Sequence, residues 1–149
     1  MSSTTTMTVG TPIVWRLSLA SPPEHVFELL DTDDGRERYW AVRSRADGDA
    51  FELEFPGGLL GRVEVLEREP PTRMAIRYFG SESVFELSSR EDGGCLFQVT
   101  CRSEDPAAWM EFYPGWVSWL LVLEAAADFG VDLRNGSPVR AWEQRYVDQ

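Results

Sequence analysis

The sequence predicts an α+β fold, a curved antiparallel sheet of six or seven strands packed around one long C-terminal helix, and three observations predict it. Between positions 39 and 102, apolar residues recur at every second position in short runs separated by glycine, proline and aspartate. Ahead of that region stand one more alternating run and a short helical segment. Behind it, from position 105, the apolar spacing lengthens to that of a helix.

Taken in order, Ile13, Trp15, Leu17 and Leu19 alternate with Val14, Arg16 and Ser18, the pattern of a half-buried strand. Ser21-Pro22-Pro23-Glu24 then reads as a helix start, with Ser21 as N-cap, proline in the first turn and Glu24 at the capping-box position. This helix turns Val26, Phe27, Leu29 and Leu30 inward and ends near Asp31. A second short helix follows over Asp33 to Arg38, capped by Thr32 or Asp33. Six strands come next. Trp40 and Val42 begin the first, and Phe51, Leu53 and Phe55 form the second. Val63 and Val65 mark the third, Met74, Ile76 and Tyr78 the fourth, Phe85 and Leu87 the fifth. Cys95, Phe97, Val99 and Cys101 mark the last. Such a meander has one wet face and one apolar face.

The closing helix is expected to start at Asp105-Pro106, an N-cap with proline behind it, and to end at Asn135-Gly136. Trp109, Phe112, Tyr113, Trp116, Leu120, Leu123 and Ala127 recur along it at helical spacing. Its length would be about thirty residues, or ~45 Å, with a kink at Pro114. An apolar sheet face needs a cover, and this is the one element large enough to supply it. A curved sheet cannot touch a single helix everywhere, so a pocket walled by large side chains is expected between them.

The chain has 149 residues, the size of one domain. Residues 1–11 are expected to form a disordered N-terminal segment, 12–136 the folded domain, and 137–149 a tail packed on the domain or on a dimer partner. The start is rich in Ser and Thr, lacks the basic and apolar regions of a signal peptide, and no apolar run is long enough to span a membrane. The expected location is cytoplasmic. Cys95 and Cys101 lie six residues apart on one strand, so ~20 Å separates them, too far for a disulfide. One histidine, His25, leaves no basis for a histidine metal site, and its position at the first helix start reads as surface. All fourteen basic residues are arginine, against twenty-five Asp and Glu, for a net charge of -11. That charge repels nucleic acid and anionic membranes, and neither is an expected partner. It fits a high-salt cytoplasm and a GC-rich genome equally well.

Strand, two short helices, meander and long helix resemble the START/Bet v1-like (SRPBCC) superfamily, and within it the bacterial branch similar to activator of Hsp90 ATPase homologue 1 (AHSA1-like). Ser21-Pro22-Pro23-Glu24-His25-Val26-Phe27-Glu28-Leu29-Leu30 carries the resemblance, with Tyr39-Trp40 before the second strand and Pro114-Gly115-Trp116 on the last helix. The resemblance covers about residues 13 to 135 and implies a helix-grip fold with a hydrophobic cavity. It implies no one reaction. Co-chaperone activity is not carried over, because this chain has no room for the large extra domain of the eukaryotic co-chaperone and has an acidic, lysine-free surface.

The cavity lining expected on the sheet is Trp15, Leu17, Trp40, Phe51, Leu53, Val63, Val65, Met74, Ile76, Tyr78, Phe85 and Leu87. On the helix it is Trp109, Phe112, Tyr113, Trp116, Leu120 and Leu123. Trp119 is a further tryptophan able to line the pocket or fill the core. The inward polar positions are Ser44, Tyr78, Ser89 and the two cysteines. No nucleophile elbow, phosphate loop, dinucleotide fingerprint or EF-hand spacing occurs. Asp31, Asp33 and Asp34 read as first-turn carboxylates, Glu111 and Glu124 as members of a solvated helix face. No catalytic residue, metal or cofactor is expected. The function expected is non-catalytic binding of a small hydrophobic ligand. A polyketide cyclase/aromatase-like enzyme and a protein-interaction module with a vestigial pocket are the alternatives. Val117, Leu121 and Val122 leave the main helix stripe, so a second side needs a cover, supplied by the tail or by a homodimer contact.

Overall fold

The computed structural model describes residues 12–78, 80–103 and 108–136, with backbone alone for 103, 108–115 and 135–136. The strands are β1 (Ile13–Leu19), β2 (Arg43–Asp47), β3 (Ala50–Glu54), β4 (Leu60–Glu69), β5 (Arg73–Tyr78), β6 (Ser81–Ser89) and β7 (Cys95–Ser103). The helices are α1 (Pro23–Asp31), α2 (Asp33–Glu37) and α3 (Ala108–Phe129), and a short 3-10 turn follows at Leu133–Gly136. The strands form one antiparallel sheet in the order β1-β7-β6-β5-β4-β3-β2. β1 and β2 are therefore its two edges, and α1 and α2 carry the chain from one edge to the other. The expected α+β architecture, a curved seven-stranded sheet with a C-terminal helix, is what the chain adopts.

Register places the alternating apolar residues in facing rows. Phe85 pairs with Met74 on one side and Val99 on the other, Val63 with Phe51 and Tyr78, and Leu17 with Phe97. A register slip in β4 between Val65 and Glu67 is the irregularity that bends this part of the sheet. On the opposite face Arg73 bridges Glu67 and Glu86 at 2.9 and 2.8 Å, and Arg77 bridges Glu82 and Glu64 at 3.1 and 3.5 Å. Such exposed pairs contribute about 0–1 kcal/mol each; their arginines neutralise part of an acidic surface.

Four local expectations are corrected. Ser21 does not cap α1. The N-cap is Pro22, without a side-chain bond, and the Ser21 hydroxyl lies 2.6 Å from the Ala127 carbonyl and 2.7 Å from Asp128 Oδ1. Asp128 also accepts the backbone N–H groups of Ala20 and Ser21 at 2.9 and 3.0 Å. A carboxylate gathering three donors outcompetes a local cap and ties the end of α3 to the β1–α1 corner.

Second, α3 stops at Phe129 and runs 22 residues, shorter than expected. Gly130 takes a left-handed φ of 65°, and the Val131 N–H turns back to the Ala125 carbonyl. The expected start at Asp105-Pro106 lies outside the described residues, and α3 continues through Pro114.

Third, β2 begins at Arg43 and not at Trp40, because the Trp40 and Ala41 N–H groups still bond the Arg36 carbonyl of α2. Fourth, Val122 is buried while Val117 and Leu121 stay exposed, so the apolar stripe of α3 includes Val122. Thr32 caps α2 as expected, its hydroxyl accepting the Gly35 N–H at 2.9 Å.

Candidate functional site

The candidate site lies where α3 crosses the apolar face of the sheet, and aromatic rings build it. Trp119 is its centre. It stacks on Phe85 (centroids 5.5 Å apart, planes 9° apart) and lies near Phe97 at 6.2 Å. It meets Trp116, Trp40 and Tyr39 edge-on at 5.1, 5.3 and 5.3 Å. Trp40 extends the wall toward the far edge through Phe51 at 5.6 Å and Tyr78 at 5.7 Å. Edge-on and stacked pairs at these spacings add about 0.5–1.5 kcal/mol beyond area burial.

Of the lining residues expected from sequence, Trp40, Phe51, Leu53, Val63, Met74, Ile76, Phe85, Leu87, Trp116, Leu120 and Leu123 are buried in one apolar cluster. Trp15, Leu17, Val65 and Tyr78 pack against it half-buried. The Trp109, Phe112, Tyr113 and Glu111 side chains lie outside the described residues. Three members of the wall, Phe97, Tyr39 and Trp119, were not among the expected lining. Tyr39 is buried beside Trp40. Trp119, expected only as one of the tryptophans, stands three residues after Trp116, a spacing that already puts both on one helix face.

Two polar atoms in this wall have no partner among the described residues, Tyr39 Oη and Trp119 Nε1. Leaving a buried group of this kind unpaired costs about 1–3 kcal/mol. Burial pushes the Tyr39 hydroxyl well above its ordinary pKa, against a smaller opposing pull from Arg36 and Arg134. It is therefore a protonated donor at neutral pH.

The buried charge nearby is Arg36, 2% exposed. Its Nε donates to Ser44 Oγ at 2.7 Å, Nη1 to the Leu30 carbonyl at 2.8 Å and Nη2 to Asp33 Oδ1 at 2.8 Å, while its guanidinium lies 3.8 Å from the Phe51 ring centroid. Asp33 also accepts from Ser44 Oγ and the Ala46 N–H. Burial alone would raise the Asp33 carboxyl, but the bonds from Ser44, Ala46 and Arg36 together hold it below the ordinary carboxylate range. Asp33 is thus a positioning carboxylate, as Asp34 is for Arg38 and Asp31 for Arg68. Gly35 lets α2 approach so closely: a Cβ there would stand 2.6 Å from the Glu28 carbonyl oxygen of α1.

The remaining inward polar positions offer little chemistry. Ser44 is committed to Arg36 and Asp33. Ser89, expected inside, is exposed at the end of β6, whereas Ser81 and Ser83, which were not expected, are buried on the same strand. Ser83 Oγ donates to Cys101 Sγ at 3.7 Å. Cys95 and Cys101 are free and buried, as their spacing implied. Burial first, and the Asp128 carboxylate second, push Cys95 up to about 11, so it is a protonated thiol at neutral pH. Glu124 is half-buried and His25 half-buried on α1. Among the described residues no three His, Cys, Asp or Glu side chains converge as metal ligands, and no helix is long and apolar enough to cross a membrane. A separate polar cleft with room for about 190 Å³ runs along β2 and β3, lined by Glu37, Arg43, Arg45, Glu52 and Glu54. In the strand register Arg43 stands opposite Glu54 and Arg45 opposite Glu52.

No family model and no curated protein matches the sequence. Solved structures do match. The Aha1 dimer from Colwellia psychrerythraea superposes with a TM-score of 0.71 at 22% identity, over 81% of this chain and 98% of that one. The AHSA1-like protein from Aeromonas hydrophila gives 0.66 at 20% identity, over 76% and 90%. The chain has the AHSA1-like, SRPBCC-type fold. CalU16 from Micromonospora echinospora shares it, with a TM-score of 0.64 at 22% identity over 76% of this chain and 72% of that one.

Proposed function

We propose that this AHSA1-like fold binds one small hydrophobic, aromatic molecule between the sheet and α3 and acts as a non-catalytic carrier or sensor. The observation that carries the reading is the wall of rings around Trp119, flat surfaces that a planar apolar ligand stacks on. General acid–base chemistry requires a carboxylate or imidazole near the reacting atom. Asp33, the half-buried carboxylate beside the buried Arg36, is already engaged by Arg36 and Ser44, which favours binding over a cyclase-like reaction. The test is titration with N-phenyl-1-naphthylamine, a neutral fluorescent aromatic. Saturable enhancement at one site per chain is expected, weakened more than about fivefold by Trp116→Ala, as for an aromatic anchor. The exposed Val117→Ala serves as the control and is expected to bind as the parent does. Binding that ignores Trp116→Ala contradicts the reading.

The outer face of α3 carries a second proposal. Val117 and Leu121 are exposed there, as are Phe129 at the end of the helix and Val131 and Leu133 just beyond it. The thirteen residues 137–149 follow directly and include Val139, Trp142, Tyr146 and Val147. We propose that this tail packs over the face. A second copy is the other candidate cover, and the Colwellia protein is described as a dimer. Sedimentation decides: a monomeric full chain that associates once cut after Gly136 supports the tail, and a full-length dimer supports the copy.

A further inference from the structure

We infer that the ligand is a flat aromatic molecule carrying one hydrogen-bond-accepting oxygen, a carbonyl or ether, which receives Trp119 Nε1–H and the Tyr39 hydroxyl together. This inference rests on the binding reading above and specifies its chemistry. Both atoms are less than 1 Å² exposed and lack a partner among the described residues. Their rings stand edge-on with centroids 5.3 Å apart, so the two groups belong to neighbouring rings of the wall. Indole N–H is a donor with no acceptor capacity, so whatever completes it must accept. The Tyr39 hydroxyl is the second donor. Its surroundings have the same polarity, because the Arg36 and Arg134 guanidiniums both act on it. Arg36 is held by Leu30, Ser44 and Asp33, and Arg134 by Asp132 and the Ala41 and Glu37 carbonyls. Their positive field favours an electron-rich oxygen over a ligand N–H. The surrounding Trp40, Phe85 and Trp116 rings leave the rest of the ligand to be apolar and flat.

The experiment compares 9-fluorenone with fluorene, molecules of nearly one shape that differ by the acceptor oxygen, by calorimetric titration of the full chain. Fluorenone is expected to bind about tenfold tighter than fluorene, the discrimination expected of a site whose donors are otherwise unpaired. Tyr39→Phe, which keeps the ring, should remove most of that preference. The same variant without ligand should melt no lower than the parent, since it deletes a hydroxyl without a partner. Equal affinity for the two probes overturns the inference and leaves the binding reading standing. Failure of both probes to bind overturns both. A drop of several degrees in the melting temperature of ligand-free Tyr39→Phe also overturns it, because the hydroxyl would then already be satisfied within the protein.

Discussion

Replacing Arg36 by leucine is expected to destabilise the fold by about 2–4 kcal/mol, since buried groups that lose their donor cost about 1–3 kcal/mol each. The leucine would fill part of the space but leave the Leu30 carbonyl and Ser44 without their donors. It would also strip the Phe51 ring of the guanidinium 3.8 Å from its centre. Arg36→Lys should recover little, since one ammonium cannot reproduce a planar fork that serves three acceptors in different directions. Asp33→Ala should cost at least as much as Arg36→Leu, because it leaves the buried Arg36 guanidinium with only the neutral Ser44 and Leu30 acceptors and no counter-charge. Urea denaturation of the three variants checks the order. Arg36→Leu as stable as the parent would show that α2 does not depend on this charge to dock on β2 and β3.

Phe85→Ala is expected to cost about 3–5 kcal/mol, as for other buried phenylalanines. Phe85 is fully buried in β6, an interior strand of the sheet, stacked against both Phe97 at 5.8 Å and Trp119 at 5.5 Å. The sheet backbone is braced on both sides of β6 and cannot collapse into the space, so the cavity term should be near the top of its range. Phe85→Leu, which keeps most of the volume, should lose much less. The pair of variants also separates two roles of the wall. If the ring serves as the stacking surface behind Trp119, Phe85→Leu should weaken an aromatic probe while the fold persists. Calorimetry on a folded Phe85→Leu protein reads that directly.

Elements whose pattern repeats locally were legible from the sequence. Met74/Ile76 and Phe85/Leu87 alternate so regularly that strand and face follow from them alone. What stayed hidden depends on partners far along the chain. Arg36 sits in the polar run Asp33–Glu37, and its burial requires Ser44 and Phe51, which only the docking of α2 brings to it. Ser21 has the local chemistry of a cap, yet Asp128, 107 residues away, takes its N–H and hydroxyl. Gly130 was the true end of α3, and a second stop signal at Asn135-Gly136 masked it. Trp119 lay one step off the stripe traced through Trp116 and Leu120. Of the two donors of the candidate site, the sequence marked Tyr39 only as the neighbour of Trp40, and Trp119 as able to line the pocket or fill the core. Only the packed structure shows that their polar atoms are left over.

The central claim is that the ring wall holds a ligand, and native mass spectrometry of the full chain mixed with 9-fluorenone tests it most directly. The account predicts a saturating complex of one fluorenone per chain that is weakened more than about fivefold in Trp116→Ala while that variant remains folded. A spectrum that shows bare protein at every probe concentration, or one unchanged by Trp116→Ala, would contradict it and identify the wall as filled core.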